Sequence, residues 1–220
     1  MIAASIVCAL ACGLLIIGEF LSNDRIRWLA KPIASLAFIA VGVFAIRANP
    51  SISEFDLAIV IGLALGAIGD VALLSEHGFL AGLGSFLLGH VAYVAAVGTY
   101  IPPSQWLGMA GVNAFIPIAI GTIVLAWLWP RLGKLRVPVI FYVIVIVAMV
   151  ISAIAFYRAR ETFDFGGPNR SLFALGAGMF FASDLAVARD KFIAKGFINR
   201  AWGLPVYYAA QLLIAWSLLR

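Results

Sequence analysis

The chain has 220 residues, of which 64% are hydrophobic and 11% are charged, and its mean hydropathy is +1.08. Ordinary soluble domains carry roughly 25% charged residues, so this composition cannot cover a water-facing surface and excludes a soluble globular protein. The net charge of +5 does not indicate nucleic-acid binding, because the basic residues lie in short segments between apolar runs, where such residues orient membrane helices.

Eight apolar segments, each long enough to cross a bilayer core of about 30 Å, follow one another along the sequence. Charged residues, proline or glycine separate them, and they cover residues 2–22, 28–47, 54–75, 78–100, 106–129, 135–157, 169–189 and 200–219. The sequence therefore predicts an all-α, polytopic membrane helix bundle of about eight transmembrane helices. We expect one transmembrane domain over residues 1–220.

An even number of spans would place both termini on the same side of the membrane. The loops after the first, third, fifth and seventh segments hold ten of the 15 lysines and arginines, and the rest of the chain holds five. Because cytoplasmic loops carry an excess of basic residues, these four loops are predicted to be cytoplasmic and both termini outside. The expected location is a bacterial inner (plasma) membrane.

An internal similarity appears when the chain is compared with itself at an offset of 114 residues. The offset aligns Asp70 with Asp184 and Tyr93 with Tyr207, so segments three and four resemble segments seven and eight. A parallel four-plus-four repeat is one hypothesis that explains this match. In such a repeat the two aspartates would face each other across a pseudo-two-fold axis.

Ionisable side chains inside membrane helices are energetically costly, so those that occur are candidates for function. At 1.5 Å per residue, Asp70 and Asp184 each lie about 8 Å inside the same end of the bundle. Glu19 and Lys31 belong to that end, whereas His90 lies near the middle of the fourth segment. Two aspartates at matching depth, each beside a small residue, favour a functional pair over two separate structural residues.

Polar aromatic and amide side chains complete the candidate set: Tyr93, Tyr142, Tyr207, Tyr208 and Gln211. With the ionisable residues they would form a polar funnel open to the cytoplasmic leaflet. Other interpretations stay open, since His90 and Tyr93 would also suit an ordinary packed core. Lys31 precedes Pro32 at a helix start, where its ammonium would also reach the membrane interface.

Five short motifs, in order along the chain, resemble the YhhN family of membrane lysoplasmalogenases. They are Lys31-Pro32, 69–74 (GDVALL), 86–93 (FLLGHVAY), 181–186 (FASDLA) and 207–214 (YYAAQLLI). The resemblance covers nearly the whole chain. It implies hydrolysis of the vinyl ether bond of a lysoplasmalogen, a lysophospholipid, to a fatty aldehyde and glycerophosphoethanolamine or glycerophosphocholine.

The resemblance also implies roles for the candidate residues. Asp70 and Asp184 would be catalytic, one carboxyl neutral and donating a proton, the other ionised, as in a glycosidase. His90 and Tyr93 would orient them, and Lys31 would meet the substrate phosphate. The remaining substrate-binding candidates are Glu19, Tyr142, Tyr207, Tyr208 and Gln211. No cofactor, metal or nucleic acid is expected; the expected partners are the lysophospholipid substrate and membrane lipids, and the oligomeric state is left open.

Two other functions would use the same intramembrane groups. A proton-coupled transporter or lipid-binding membrane protein would also place carboxylates within its helices. A metal-dependent hydrolase would need about three ligands for zinc, and with two histidines in the chain only a set of His90, Asp70 and Asp184 is conceivable. Release of aldehyde by the purified protein separates an enzyme from a transporter.

Overall fold

The computed structural model describes residues 1–75, 77–159 and 167–220, which form helices joined by short turns. The helices are α1 Ile2–Phe20, α2 Asp24–Ala48, α3 Glu54–Ala72, α4 Phe79–Gly98, α5 Pro103–Ala110, α6 Phe115–Leu128, α7 Arg136–Arg158, α8 Arg170–Phe192 and α9 Phe197–Trp216. Helices α5 and α6 follow one another through a 3-10 turn and together make the fifth predicted segment. The all-α prediction with eight helical segments is confirmed.

Seven of the described segments are long and apolar enough to cross a membrane, which establishes an integral membrane protein. They are α1, α2, α3, α4, the α5–α6 segment, α7 with the turn before it, and α8. Helix α9 has 20 residues but is not among the seven, and it carries the polar residues Asn199, Arg200 and Gln211. That α9 also spans the membrane stays a prediction.

Local sequence signals account for several helix ends. The side chain of Asn23 accepts a hydrogen bond from the first turn of α2, and Ser53 and Asp56 form a reciprocal capping box at the start of α3. Gly111 has φ +57°, a conformation that glycine adopts without steric cost. This turn divides the fifth segment into two helices, where the sequence predicted one.

Six helices enclose the centre of the bundle. Each contacts the next in the order α2, α3, α4, α7, α8 and α9, and α9 closes the ring against α2. Helix α1 packs outside the ring on α2 and α9, and the α5–α6 segment packs outside on α7. Small residues permit this close packing: a Cβ atom added to Gly62 would lie 2.3 Å from the ring of Tyr93.

Inside the ring of helices, aromatic side chains fill one end of the bundle, and a cavity opens at the other end. Phe55, Phe156 and Phe173 pack together with ring centroids 5.5 to 6.0 Å apart, and all three are fully buried. Toward the opposite end of the bundle, the ring helices separate around a cavity. The interior of the bundle therefore offers space for a ligand at this end.

Candidate active site

A cavity of about 770 Å³ opens at the end of the bundle formed by the α1–α2, α3–α4, α6–α7 and α8–α9 turns, which we call the mouth. The predicted site residues that line this cavity are Glu19, Lys31, Asp70, Tyr142, Asp184 and Tyr207. Four of them are the ionisable residues that the sequence placed at this end. The remaining predicted residues, His90, Tyr93, Tyr208 and Gln211, are buried behind the cavity wall.

Asp70, on α3, is almost completely buried and meets two side chains of α2. The Ser35 hydroxyl donates a hydrogen bond of 2.7 Å to one carboxyl oxygen, and the Lys31 ammonium lies 3.5 Å from the other. Lys31 is 8% exposed, so it turns into the bundle instead of reaching toward the membrane interface. The Asp70 carboxyl therefore has both a cation and a hydroxyl donor beside it.

A chain of buried hydrogen bonds leads from Tyr207, which lines the cavity with Asp70, toward the middle of the bundle. The Tyr207 hydroxyl accepts a hydrogen bond of 3.1 Å from the Gln211 amide. The Gln211 carbonyl oxygen in turn accepts a bond of 2.7 Å from the Tyr93 hydroxyl. Tyr93 and Gln211 therefore reach the cavity through Tyr207 and do not line it themselves.

Asp184, on α8, has a different set of neighbours. The Tyr142 hydroxyl donates a hydrogen bond of 2.7 Å to one of its oxygens, and His90 Nε2 lies 3.9 Å from the same oxygen. The His90 ring is fully buried between Phe180, at 4.5 Å, and Tyr142, at 5.3 Å. Among the described residues, no lysine or arginine pairs with Asp184, so this carboxyl lacks the counter-charge that Asp70 has.

The two aspartates lie on different parts of one cavity wall and do not contact each other. No hydrogen bond joins the two carboxyls within the described ranges, and aromatic rings pack between their surroundings. Phe180 lies 4.5 Å from His90 and 5.2 Å from Tyr207, measured between ring centroids. A molecule in the cavity would meet both carboxyls. Their unlike partners give no sign of a pseudo-two-fold relation, and the four-plus-four repeat stays a prediction.

Two further residues at the mouth were not predicted from the sequence. Arg27 and Arg200 line the cavity and form ion pairs with the same carboxylate, that of Glu19. In the sequence, both arginines belong to the basic residues between apolar segments, where such residues orient membrane helices. The signal that pointed to them was Glu19 itself, because a carboxylate near the end of an apolar helix requires a cationic partner.

Residues 26–218 match the family model described as the YhhN family. The chain is 34% identical over 167 residues to a Mycobacterium bovis protein named Lysoplasmalogenase, covering 71% of this chain and 58% of that protein. It is 31% identical over 189 residues to Lysoplasmalogenase TMEM86A of Bos taurus, covering 83% and 72% respectively. It is 24% identical over 193 residues to the Uncharacterized membrane protein YhhN of Escherichia coli O157:H7, covering 87% and 86%. No solved structure matches the chain significantly.

Proposed function

The chain belongs to the YhhN family, and from this we propose that it is a lysoplasmalogenase, which hydrolyses the vinyl ether bond of a lysoplasmalogen. The products are a fatty aldehyde and glycerophosphoethanolamine or glycerophosphocholine. One observation carries the proposal: a single cavity is lined by two aspartates with unlike surroundings. Similarity to relatives named lysoplasmalogenase supports it, although the chain spans 58% of the length of the mycobacterial relative.

Vinyl ether hydrolysis needs one acid and one anionic group. A proton is added to the β-carbon of the double bond, and a lone pair of the ether oxygen stabilises the resulting oxocarbenium ion. Water then adds to the cationic carbon and loses a proton to the ionised carboxylate, which gives a hemiacetal. The hemiacetal breaks its bond to the glycerol oxygen, and that oxygen takes a proton as the aldehyde forms. A neutral carboxyl serves as the acid, and an ionised carboxylate stabilises the cation and accepts the proton of water.

The different surroundings of the two aspartates support a separate role for each. Asp70 has the Lys31 ammonium and the Ser35 hydroxyl beside it, so we assign to Asp70 the ionised carboxylate. Asp184 has the Tyr142 hydroxyl on one oxygen and no cationic partner in the described chain, so we assign to Asp184 the neutral acid. Two carboxyls thus hold two roles because their environments differ, as in other acid catalysts.

The remaining polar residues would position these two groups. The hydrogen bond from Tyr142 to one Asp184 oxygen leaves the other oxygen to carry the proton that is transferred. His90 packs behind this pair and restricts its orientation. On the opposite side, the bonds from Tyr93 through Gln211 hold Tyr207 beside Asp70. Residues that line the cavity and residues behind it therefore act on the same two carboxyls.

The cavity also has an apolar wall suited to a single hydrocarbon chain. This lining includes Leu83 and Phe86 of α4, Val143 and Ile146 of α7, and Gly121 of α6. A vinyl ether lies next to the glycerol of its lipid, between a polar head and an apolar tail. The charged residues of the mouth, the two carboxyls and these apolar residues line one cavity, so the lipid would bind with its head at the mouth.

Aldehyde release by the purified protein in detergent tests the proposal. Lysoplasmalogen should yield fatty aldehyde, whereas a transporter that uses the same carboxylates would release none. The variant Asp184→Asn should fold and lose at least about a hundredfold in turnover, since a general acid typically contributes 10²–10⁴-fold. Glu54→Gln, which changes an exposed carboxyl at the start of α3, is the matched control and should keep full activity. Near-normal turnover by folded Asp184→Asn would remove Asp184 from the mechanism.

A further inference from the structure

Two arginines converge at the mouth from different helices. Arg27 of α2 and Arg200 of α9 both bind the Glu19 carboxylate, one at each of its oxygens. The Arg27 and Arg200 side chains are 21% and 27% exposed, whereas the Glu19 side chain is only 8% exposed. Glu19 thus lies beneath the two guanidinium groups and keeps them close together, although their like charges would otherwise drive them apart. We call Arg27 and Arg200 the arginine pair.

Each arginine of the pair has more N–H donors than its carboxylate partners use. Arg27 uses Nε for Glu19 and Nη1 for Asp24, and Arg200 uses Nη1 for Glu19 and Nη2 for Asp190. A guanidinium carries five N–H groups in a rigid planar fork, so each arginine retains several N–H groups that can face the cavity. Planar forks of this kind bind phosphate oxygens through two parallel hydrogen bonds.

The sequence predicts that Lys31 meets the phosphate, but this residue already forms an ion pair with Asp70. Its ammonium is buried and lies 3.5 Å from Asp70, which would lose its counter-charge if Lys31 turned outward. Arg27 lies four residues before Lys31 on α2, and both line the cavity. Four residues of an α-helix rise by about 6 Å, so Arg27 lies one turn nearer the mouth than Lys31, the ion-pair partner of Asp70.

This spacing matches the dimensions of a lysophospholipid. In such a lipid, one ester oxygen and the three glycerol carbons lie between the phosphorus and the ether oxygen, a separation comparable with one helical turn of about 5.4 Å. A phosphate held at the level of Arg27 would place the vinyl ether at the level of Asp70. The hydrocarbon tail would then continue past Asp184 along the apolar wall.

We infer that the arginine pair binds the phosphate of the lysophospholipid substrate and thereby sets the depth at which its vinyl ether meets Asp70 and Asp184. The inference rests on the proposed function and adds the head-group site to it. Glu19 is a positioning residue in this site, because it touches the two guanidinium groups and not the phosphate. The phosphate contact is thus assigned to Arg27 and Arg200 and not, as the sequence predicted, to Lys31.

A pair of substrates tests the inference. Lysoplasmalogen and 1-O-alkenylglycerol contain the same vinyl ether, but only the former has a phosphate. Arg27→Gln and Arg200→Gln should each raise the KM for lysoplasmalogen at least about tenfold, the effect of losing a charge-assisted hydrogen bond, with kcat nearly unchanged. Both variants should hydrolyse 1-O-alkenylglycerol within about twofold of the wild-type rate. Arg25→Gln, an exposed arginine of the same turn that does not line the cavity, is the matched control.

The same measurements identify each way in which the inference would be wrong. Equal loss on both substrates would mean that the arginines only hold the bundle together, and no change on either would mean that the phosphate binds elsewhere. If inorganic phosphate binds the wild type but not the variants, while the KM for lysoplasmalogen is unchanged, the pair is a site for a free anion. If glutamine at either position prevents folding, Arg27→Lys and Arg200→Lys keep the charge beside Glu19 and should still lower the preference for the phosphorylated substrate.

Failure of the proposed function gives a different result. In that case the wild type releases no aldehyde from lysoplasmalogen or from 1-O-alkenylglycerol. If the wild type hydrolyses both substrates and the variants do not distinguish between them, the proposed function stands and the head-group site is wrong.

Discussion

Replacing Lys31 with methionine removes the cation that lies 3.5 Å from Asp70 and leaves a carboxyl that is only 3% exposed without a counter-charge. Removing one partner of a buried ion pair typically costs about 3–5 kcal/mol, because the remaining charge is still desolvated. The hydrogen bond from Ser35 persists, so we expect the lower end of that range, about 3 kcal/mol in the free energy of unfolding. Turnover should also fall, because the proposed mechanism needs the Asp70 carboxylate ionised and held beside Lys31.

The double variant Lys31→Met/Asp70→Asn makes this prediction specific. It removes both charges at once, so its loss of unfolding free energy should be smaller than the sum of the two single losses by at least about 2 kcal/mol. Denaturant titrations in detergent micelles measure all three values, and Lys134→Met, an exposed lysine in the turn before α7, should change stability by less than about 0.5 kcal/mol. Additive losses would show that Lys31 is not the counter-charge of Asp70.

Three further predictions concern packing, metals and orientation. Gly62→Ala should lower the free energy of unfolding by about 1–3 kcal/mol because its Cβ would lie 2.3 Å from the Tyr93 ring, whereas Gly84→Ala, with nothing within 4 Å, should not. EDTA or phenanthroline should leave aldehyde release intact; loss that added metal reverses would favour the metal hydrolase. Orientation can be tested in intact cells with a variant that lacks the native Cys8 and Cys12. A cysteine placed at Ser75 should react only with a membrane-permeant reagent, and one placed at Ser104 should react also with an impermeant reagent. The reverse pattern would invert the predicted orientation.

The helices were predictable because a bilayer-length apolar run has few alternatives to a helix. The predicted segments 28–47 and 78–100 agree with α2 and α4 to within a few residues, apart from the earlier start of α2 at Asp24. The division of the fifth segment at Gly111 was not predicted, since a single glycine in an apolar run does not by itself indicate a positive φ.

The identity of the ionisable residues at the mouth was also predictable, because each charge inside an apolar run stands out. Their partners were not. Whether Lys31 reaches outward or pairs with Asp70 depends on how α2 packs against α3, which one sequence does not specify. Arg27 and Arg200 lie far apart along the chain and become neighbours through Glu19 only when α1, α2 and α9 pack together.

Hydrolysis in D₂O tests most directly whether protonation of the vinyl ether carbon by an aspartic acid in this cavity starts the reaction. Protonation at the β-carbon predicts a fatty aldehyde that carries one solvent deuterium next to its carbonyl group, at a rate that Asp184→Asn lowers at least about a hundredfold. Unlabelled aldehyde incubated with the same protein measures background exchange. Aldehyde released without deuterium, or labelled aldehyde formed at the wild-type rate by folded Asp184→Asn, would contradict the account.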